Sequence, residues 1–107
     1  MNKYNNKKTV IDGITFDSKK EAKRYSELKL LERGNVITNL SLQVPFQLIQ
    51  PMKINGKHHR AICYIADFAY WENDKFIVED TKGYQTDIYR IKKRLMKQVH
   101  DIEIKET

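Results

Sequence analysis

The stretch Ala61-Ile62-Cys63-Tyr64-Ile65-Ala66-Asp67-Phe68-Ala69-Tyr70-Trp71-Glu72-Asn73-Asp74-Lys75-Phe76-Ile77-Val78-Glu79-Asp80-Thr81-Lys82 decides the fold. Two runs rich in β-branched and aromatic residues flank the turn pair Asn73-Asp74, so the segment reads as a β-hairpin. The first run, Arg60 to Trp71, is apolar on both faces, as a central strand is. The second, Lys75 to Lys82, alternates Phe76, Val78, Asp80 and Lys82 onto one face. A two-residue turn sets Glu72 against Lys75, Trp71 against Phe76, Ala69 against Val78 and Asp67 against Asp80. A four-residue loop keeps that pairing, whereas a three-residue loop puts Glu79 opposite Asp67. In the first register the two carboxylates share a face, with Cα atoms about 4.5–5.5 Å apart. Like charges that close repel. A divalent cation relieves them, and an all-oxygen donor set suits Mg²⁺, with Mn²⁺ as a substitute, rather than zinc. Lys82, two residues past Asp80 on that face, can orient a water or stabilise charge on a phosphoryl group. Two acids, a lysine and a metal point to phosphodiester hydrolysis.

Upstream, Thr9-Val10-Ile11 and Ile14-Thr15-Phe16 flank Asp12-Gly13 and read as a short hairpin. Ser18-Lys19-Lys20-Glu21 is a capping box that opens a helix. Ala22, Tyr25, Leu28 and Leu31 recur at helical spacing as its buried stripe, and Gly34 ends it. Glu21, four residues before Tyr25, lies at the edge of that stripe. It either only completes the capping box or joins the carboxylates. From Val36 to Leu48 the period is two, with a bend at Pro45. Asn55-Gly56 marks a turn. Downstream, Gly83 ends the third strand and Thr86 caps a second helix running to about Val99, with Ile88, Ile91, Leu95 and Val99 facing inward. Asp101 to Lys105 reads as a short closing strand. The order is helix, three strands, helix, strand, which is an α+β (mixed α/β) arrangement.

The 107 residues suit one domain over 9–107 behind a flexible, basic segment 1–8. Cys63 is the only cysteine, which excludes an internal disulfide and a cysteine-based zinc site. The start of the chain lacks a signal-peptide pattern, and no apolar run is long enough for a membrane span, so a cytoplasmic protein without a membrane partner is expected. No glycine-rich phosphate loop is present, so no nucleotide cofactor is expected. His58, His59 and His100 show no metal or nuclease spacing and receive no role. Lys plus Arg is 20 against 14 Asp plus Glu, a net charge of +6. Lys19 and Lys23 load the first helix with positive charge, and Arg90, Lys93, Arg94 and Lys97 the second. Such a row is either a solvated face or a phosphate-contacting one.

Asp67 followed by Asp80-Thr81-Lys82, and preceded by a helical Glu21, resembles the PD-(D/E)XK nuclease superfamily from roughly Gly13 to Val99. Gly13-Ile14-Thr15-Phe16-Asp17-Ser18-Lys19-Lys20-Glu21 looks like the segment leading to the helical glutamate. Leu42-Gln43-Val44-Pro45 and Tyr64-Ile65-Ala66-Asp67-Phe68 are similar to a bacteriophage-encoded group of Holliday-junction-resolvase-like endonucleases. Ala66 stands where proline often precedes the aspartate. The resemblance implies a restriction-endonuclease-like core, a central mixed sheet of about four strands flanked by two helices. It implies that Asp67, Asp80, the Thr81 carbonyl and Glu21 hold metal and that Lys82 positions the water. Gln85-Thr86-Asp87-Ile88-Tyr89 resembles a Gln-x-x-x-Tyr element that helps hold DNA, which implicates Gln85 and Tyr89. The expectation is a Mg²⁺-dependent DNA endonuclease that leaves a 5′-phosphate. It would act as a homodimer in recombination, repair or packaging inside a bacterial host. The alternatives are an exonuclease acting at DNA ends and a non-catalytic DNA-binding or interaction protein.

Overall fold

Turn chemistry and helix caps lay out the chain in the computed structural model, which describes residues 8–81 and 84–107. β1 (Thr9–Ile11) and β2 (Ile14–Phe16) pair antiparallel across Asp12 and Gly13, both at positive φ. The paired left-handed residues are what a two-residue hairpin turn demands. α1 (Lys19–Arg33) starts at Ser18, whose Oγ accepts from the Glu21 N–H at 3.1 Å, and stops at Gly34. β3 (Thr38–Ile49) leads to β4 (Met52–Ile54) and β5 (Lys57–His59), a small hairpin where the sequence suggested only a turn. β6 (Ile62–Glu72) and β7 (Lys75–Asp80) follow, then α2 (Asp87–His100) and β8 (Lys105–Glu106).

The fold is α+β. Among the described residues, two helices accompany a mixed four-stranded sheet ordered β3-β6-β7-β8, in which β8 lies parallel to β7. Asn73 and Asp74 both take left-handed φ, 50° and 64°, so the turn between β6 and β7 is the two-residue kind. Trp71 and Phe76 stack across it with ring centroids 5.2 Å apart, as the first register requires.

Two compact units divide the chain. One runs to Leu40 and includes Tyr70–Phe76; the other comprises Ser41–Ala69 and Ile77–Thr107. In the first, α1 packs on the β1–β2 hairpin through Phe16, Ala22, Tyr25, Leu28 and Ile37, all buried. Phe16 and Tyr25 lie 5.0 Å apart by ring centroid, and the Tyr25 hydroxyl donates to Asp12 Oδ2 at 3.0 Å. In the second, Leu48, Tyr64, Ala66, Ala69, Val78, Tyr89, Met96 and Ile104 form the core, with Val44, Phe46, Leu95 and Ile102 packed against it. Phe68, Ala69 and Tyr70 are buried in succession, so both faces of β6 are covered there, as in a central strand.

Two sequence expectations need correction. Ile88, Ile91 and Val99 of α2 are exposed, while Tyr89 and Met96 are buried, so the helix is turned by about one residue, or about 100°. The closing strand begins later than expected because Asp101 ends α2 in a left-handed conformation, φ 56°. Its N–H bonds back to Lys97 O, and the Ile102 N–H to Met96 O at 3.2 Å. The bond from left-handed Asp101 to Lys97 is an αL-type stop, with Ile102 laid against the core, and it consumes the residues the sequence offered to a strand.

Candidate functional site

Asp67 in the middle of β6 and Asp80 at the end of β7 both belong to the second unit, and they fall opposite one another when the hairpin is counted in from Asn73-Asp74. Asp80 is buried and Asp67 half-buried. Burying a carboxylate is costly unless polar groups meet it, and here they do. The Tyr64 hydroxyl donates to Asp80 Oδ2. The Thr81 backbone N–H donates to Asp67 Oδ2 at 2.9 Å, and the Gln43 side-chain amide lies 3.5 Å from Asp67 Oδ1. Burial, and then the bond to Asp80, push the Tyr64 phenol far above its ordinary value, so it stays a proton donor at every working pH. Gln43 stands out by its backbone. It takes φ 52°, and every other described residue at positive φ is Asn, Asp or Gly. For a longer side chain that conformation costs about 1–2 kcal/mol. Strain of this kind, beside the half-buried Asp67, points to a functional position.

A second cluster adjoins β8, where Glu106 is the register partner of Asp80. Its carboxylate accepts from the Tyr89 hydroxyl at 2.7 Å and from the Gln85 amide at 2.9 Å, both on Oε2, and from Lys93 Nζ at 3.0 Å on Oε1. The Tyr89 bond, opposed by burial and helped by Lys93, holds Glu106 below the usual carboxylate range. Burial, the Glu106 bond and the nearby charges of Asp80 and Asp67 push Tyr89 upward. Beside the two phenols an open groove of about 300 Å³ runs from Cys63, Tyr64 and Ile65 to Thr86, Ile88, Tyr89 and Lys92.

A family model described as a protein of unknown function, DUF1064, matches residues 1–107. The chain belongs to the DUF1064 family. No curated protein and no solved structure matches it.

In this DUF1064 chain the expected site residues fall into three groups. Asp67, Asp80 and Thr81 are brought together, and Gln85, Tyr89 and Lys93 meet on Glu106. Glu21 belongs to the first unit, where it is buried at the start of α1. Lys82 lies outside the described residues, as does most of the basic segment 1–8. The α2 cations are more engaged than a bare phosphate-contacting face would be. Arg90 pairs with Asp87 at 3.1 Å, Lys93 with Glu106, and Lys97 with Asp101 at 2.8 Å and Glu103 at 3.2 Å. Lys19, Lys23 and Arg94 are exposed. Glu79 is fully buried and, by alternation along β7, faces away from Asp80.

Among the described residues no three His, Cys, Asp or Glu side chains gather where they could hold a metal ion. Two carboxylates still fit Mg²⁺, which is commonly held by one or two carboxylates, with waters and substrate phosphate completing its shell. Gln43, Tyr64 and Glu106 are site residues that the sequence reading missed. Tyr64 left one usable sign, a phenol inside an apolar run that would need a partner when buried. Gln43 showed only as part of the family-like segment Leu42-Gln43-Val44-Pro45, and Glu106 left no sign.

Proposed function

We propose that this protein is a Mg²⁺-dependent DNA endonuclease of the PD-(D/E)XK type. The observation that carries the reading is the pair Asp67 and Asp80 on the two strands of one hairpin, each held by a donor, Thr81 N–H and the Tyr64 hydroxyl. A module that only bound DNA would gain nothing from setting two acids side by side near phosphates. Asp67 and Asp80 would hold the cation, with the Thr81 carbonyl as a further oxygen donor. Bound there, Mg²⁺ supplies a Lewis acid for a phosphoryl oxygen and lowers the pKa of a water. Tyr64, kept protonated, fixes one oxygen of Asp80 and so orients the carboxylate. Gln43 and Thr81 do the same for Asp67. Lys82, two residues after Asp80 in sequence, would orient the attacking water in line with the scissile bond.

Gln85, Tyr89, Arg90, Lys93, Arg94 and Lys97, with Lys19 and Lys23, are the candidate DNA contacts, and the net charge of +6 supports them. A homodimer would let one small active site per chain cut two strands. The exposed apolar stripe Ile88, Ile91 and Val99 offers a face for it. Recombination, repair or packaging of phage DNA is the setting that the sequence resemblance suggests. A non-catalytic DNA-binding protein is the second reading, favoured by the absence of a three-acid metal group among the described residues.

The test is cleavage of a four-way junction, a linear duplex and supercoiled plasmid in Mg²⁺, beside Lys82→Ala. Cleavage lost in EDTA and in the variant is expected, and junction preference would name a resolvase. Tight binding without cleavage of any substrate, in Mg²⁺ or Mn²⁺, would replace this reading with the second.

A further inference from the structure

Glu106 takes three donors at once. Gln85 precedes the Thr86 cap, and Tyr89 and Lys93 follow at four-residue steps, which align along one flank of the helix. Amide, phenol and ammonium converge on both oxygens of one carboxylate, at 2.9, 2.7 and 3.0 Å. A phosphodiester offers the same thing, two oxygens sharing one negative charge. We propose that Gln85, Tyr89 and Lys93 form a phosphate site that the protein's own Glu106 carboxylate fills in the absence of DNA, and that a DNA phosphate displaces it. This rests on the DNA-binding part of the proposed function and adds its regulation.

Three features fit displacement. The Glu106 side chain keeps 28% of its surface exposed, so an incoming anion can reach the donors. β8 is two residues long, tied to β7 by the Thr107 N–H on Asp80 O at 3.0 Å and by the Thr81–Thr107 hydroxyl contact at 3.2 Å. Glu106 also stands in register with Asp80, so its charge adds to that of the carboxylates and repels an approaching phosphate until it swings away. Glu106 is thus both a stand-in for the ligand and a gate on the site.

Duplex affinity of the wild type, Glu106→Gln, Glu106→Ala and Glu106→Gln/Lys93→Ala tests this, with circular dichroism to check folding. Both single variants should bind about tenfold tighter, with a salt slope steeper by about 0.9 as Lys93 becomes free to meet a phosphate. The gain should vanish in the double variant. In the wild type, the Gln85 side-chain amide resonances should shift on titration with the duplex. Equal or weaker binding by a folded Glu106→Gln, or unmoved Gln85 resonances in a complex that forms, would overturn the proposal. No DNA binding by any form would overturn it together with the DNA reading. Tighter binding by the variants without Mg²⁺-dependent cleavage would uphold the latch and remove only the nuclease.

Discussion

α1 and α2 begin alike. Ser18 and Thr86 each accept a hydrogen bond from the backbone N–H three residues on, at 3.1 Å in both. They then bury different kinds of face. α1 hides Ala22, Tyr25 and Leu28, the stripe its apolar spacing announces. α2 hides Tyr89 and Met96, seven residues apart, and leaves Ile88, Ile91 and Val99 in solvent. Apolar periodicity selects the wrong face of α2 because it counts hydrocarbon and ignores polar partners. Tyr89 buries its ring 6.3 Å from that of Tyr64 while its hydroxyl reaches Glu106, and Met96 is buried on the same face. A helix face that packs on apolar neighbours is therefore legible from its apolar residues, whereas one that also serves a polar cluster is not.

The sharpest way to break this contrast is core truncation. Met96→Ala and Leu28→Ala should each cost about 2–5 kcal/mol in denaturant unfolding. Ile91→Ala and Leu30→Ala, at exposed positions, should stay within about 0.5 kcal/mol. A large loss at Ile91 with little at Met96 would restore the face that the sequence suggested. The caps come next: Ser18→Ala and Thr86→Ala should each cost about 1 kcal/mol, since the two bonds are alike. A clear inequality would show that one helix leans more on its neighbours than on its own start.

The smallest effects are in pH. Tyr64 and Tyr89 have folded values raised above the ordinary 10.0, chiefly by burial. Their contribution to stability should therefore be level below pH 10 and fall as pH rises beyond it, and Tyr89→Phe should flatten that limb. Glu32, held down by the Leu40 N–H, and Glu106, held down by Tyr89, sit below 4.5 when folded. Their contribution is present above that value and lost as pH falls through the lower folded one. Glu32→Gln and Glu106→Gln should each blunt the acid limb slightly, because partly exposed pairs contribute little. An acid limb unchanged in both would mean that neither carboxylate is held as the geometry has it.

Much of the hairpin was legible because its turn chemistry is local. Asn73-Asp74 fixed the register, and the register brought Asp67 and Asp80 to one side. The caps at Ser18 and Thr86 were legible for the same reason. What escaped depends on long-range geometry or on a backbone state that residue type does not announce. The left-handed Gln43 and the pairing of Glu106 with α2 are of that kind. Asp101 was legible as a helix-end residue only in hindsight, since Asp tolerates a left-handed cap where Gly is usual.

The central claim, that Asp67 and Asp80 form a hydrolytic site rather than a structural pair, is most directly tested by plasmid nicking. The rate with wild type and with Asp80→Asn would be measured at saturating Mg²⁺, with both proteins shown to be folded. Asn keeps the side-chain shape and can still accept from Tyr64, but it removes the charge. The account predicts nicking by the wild type and a loss of at least about 10³-fold in the variant, roughly 4 kcal/mol of transition-state stabilisation. Equal nicking by the two, or none by a folded wild type, would contradict it.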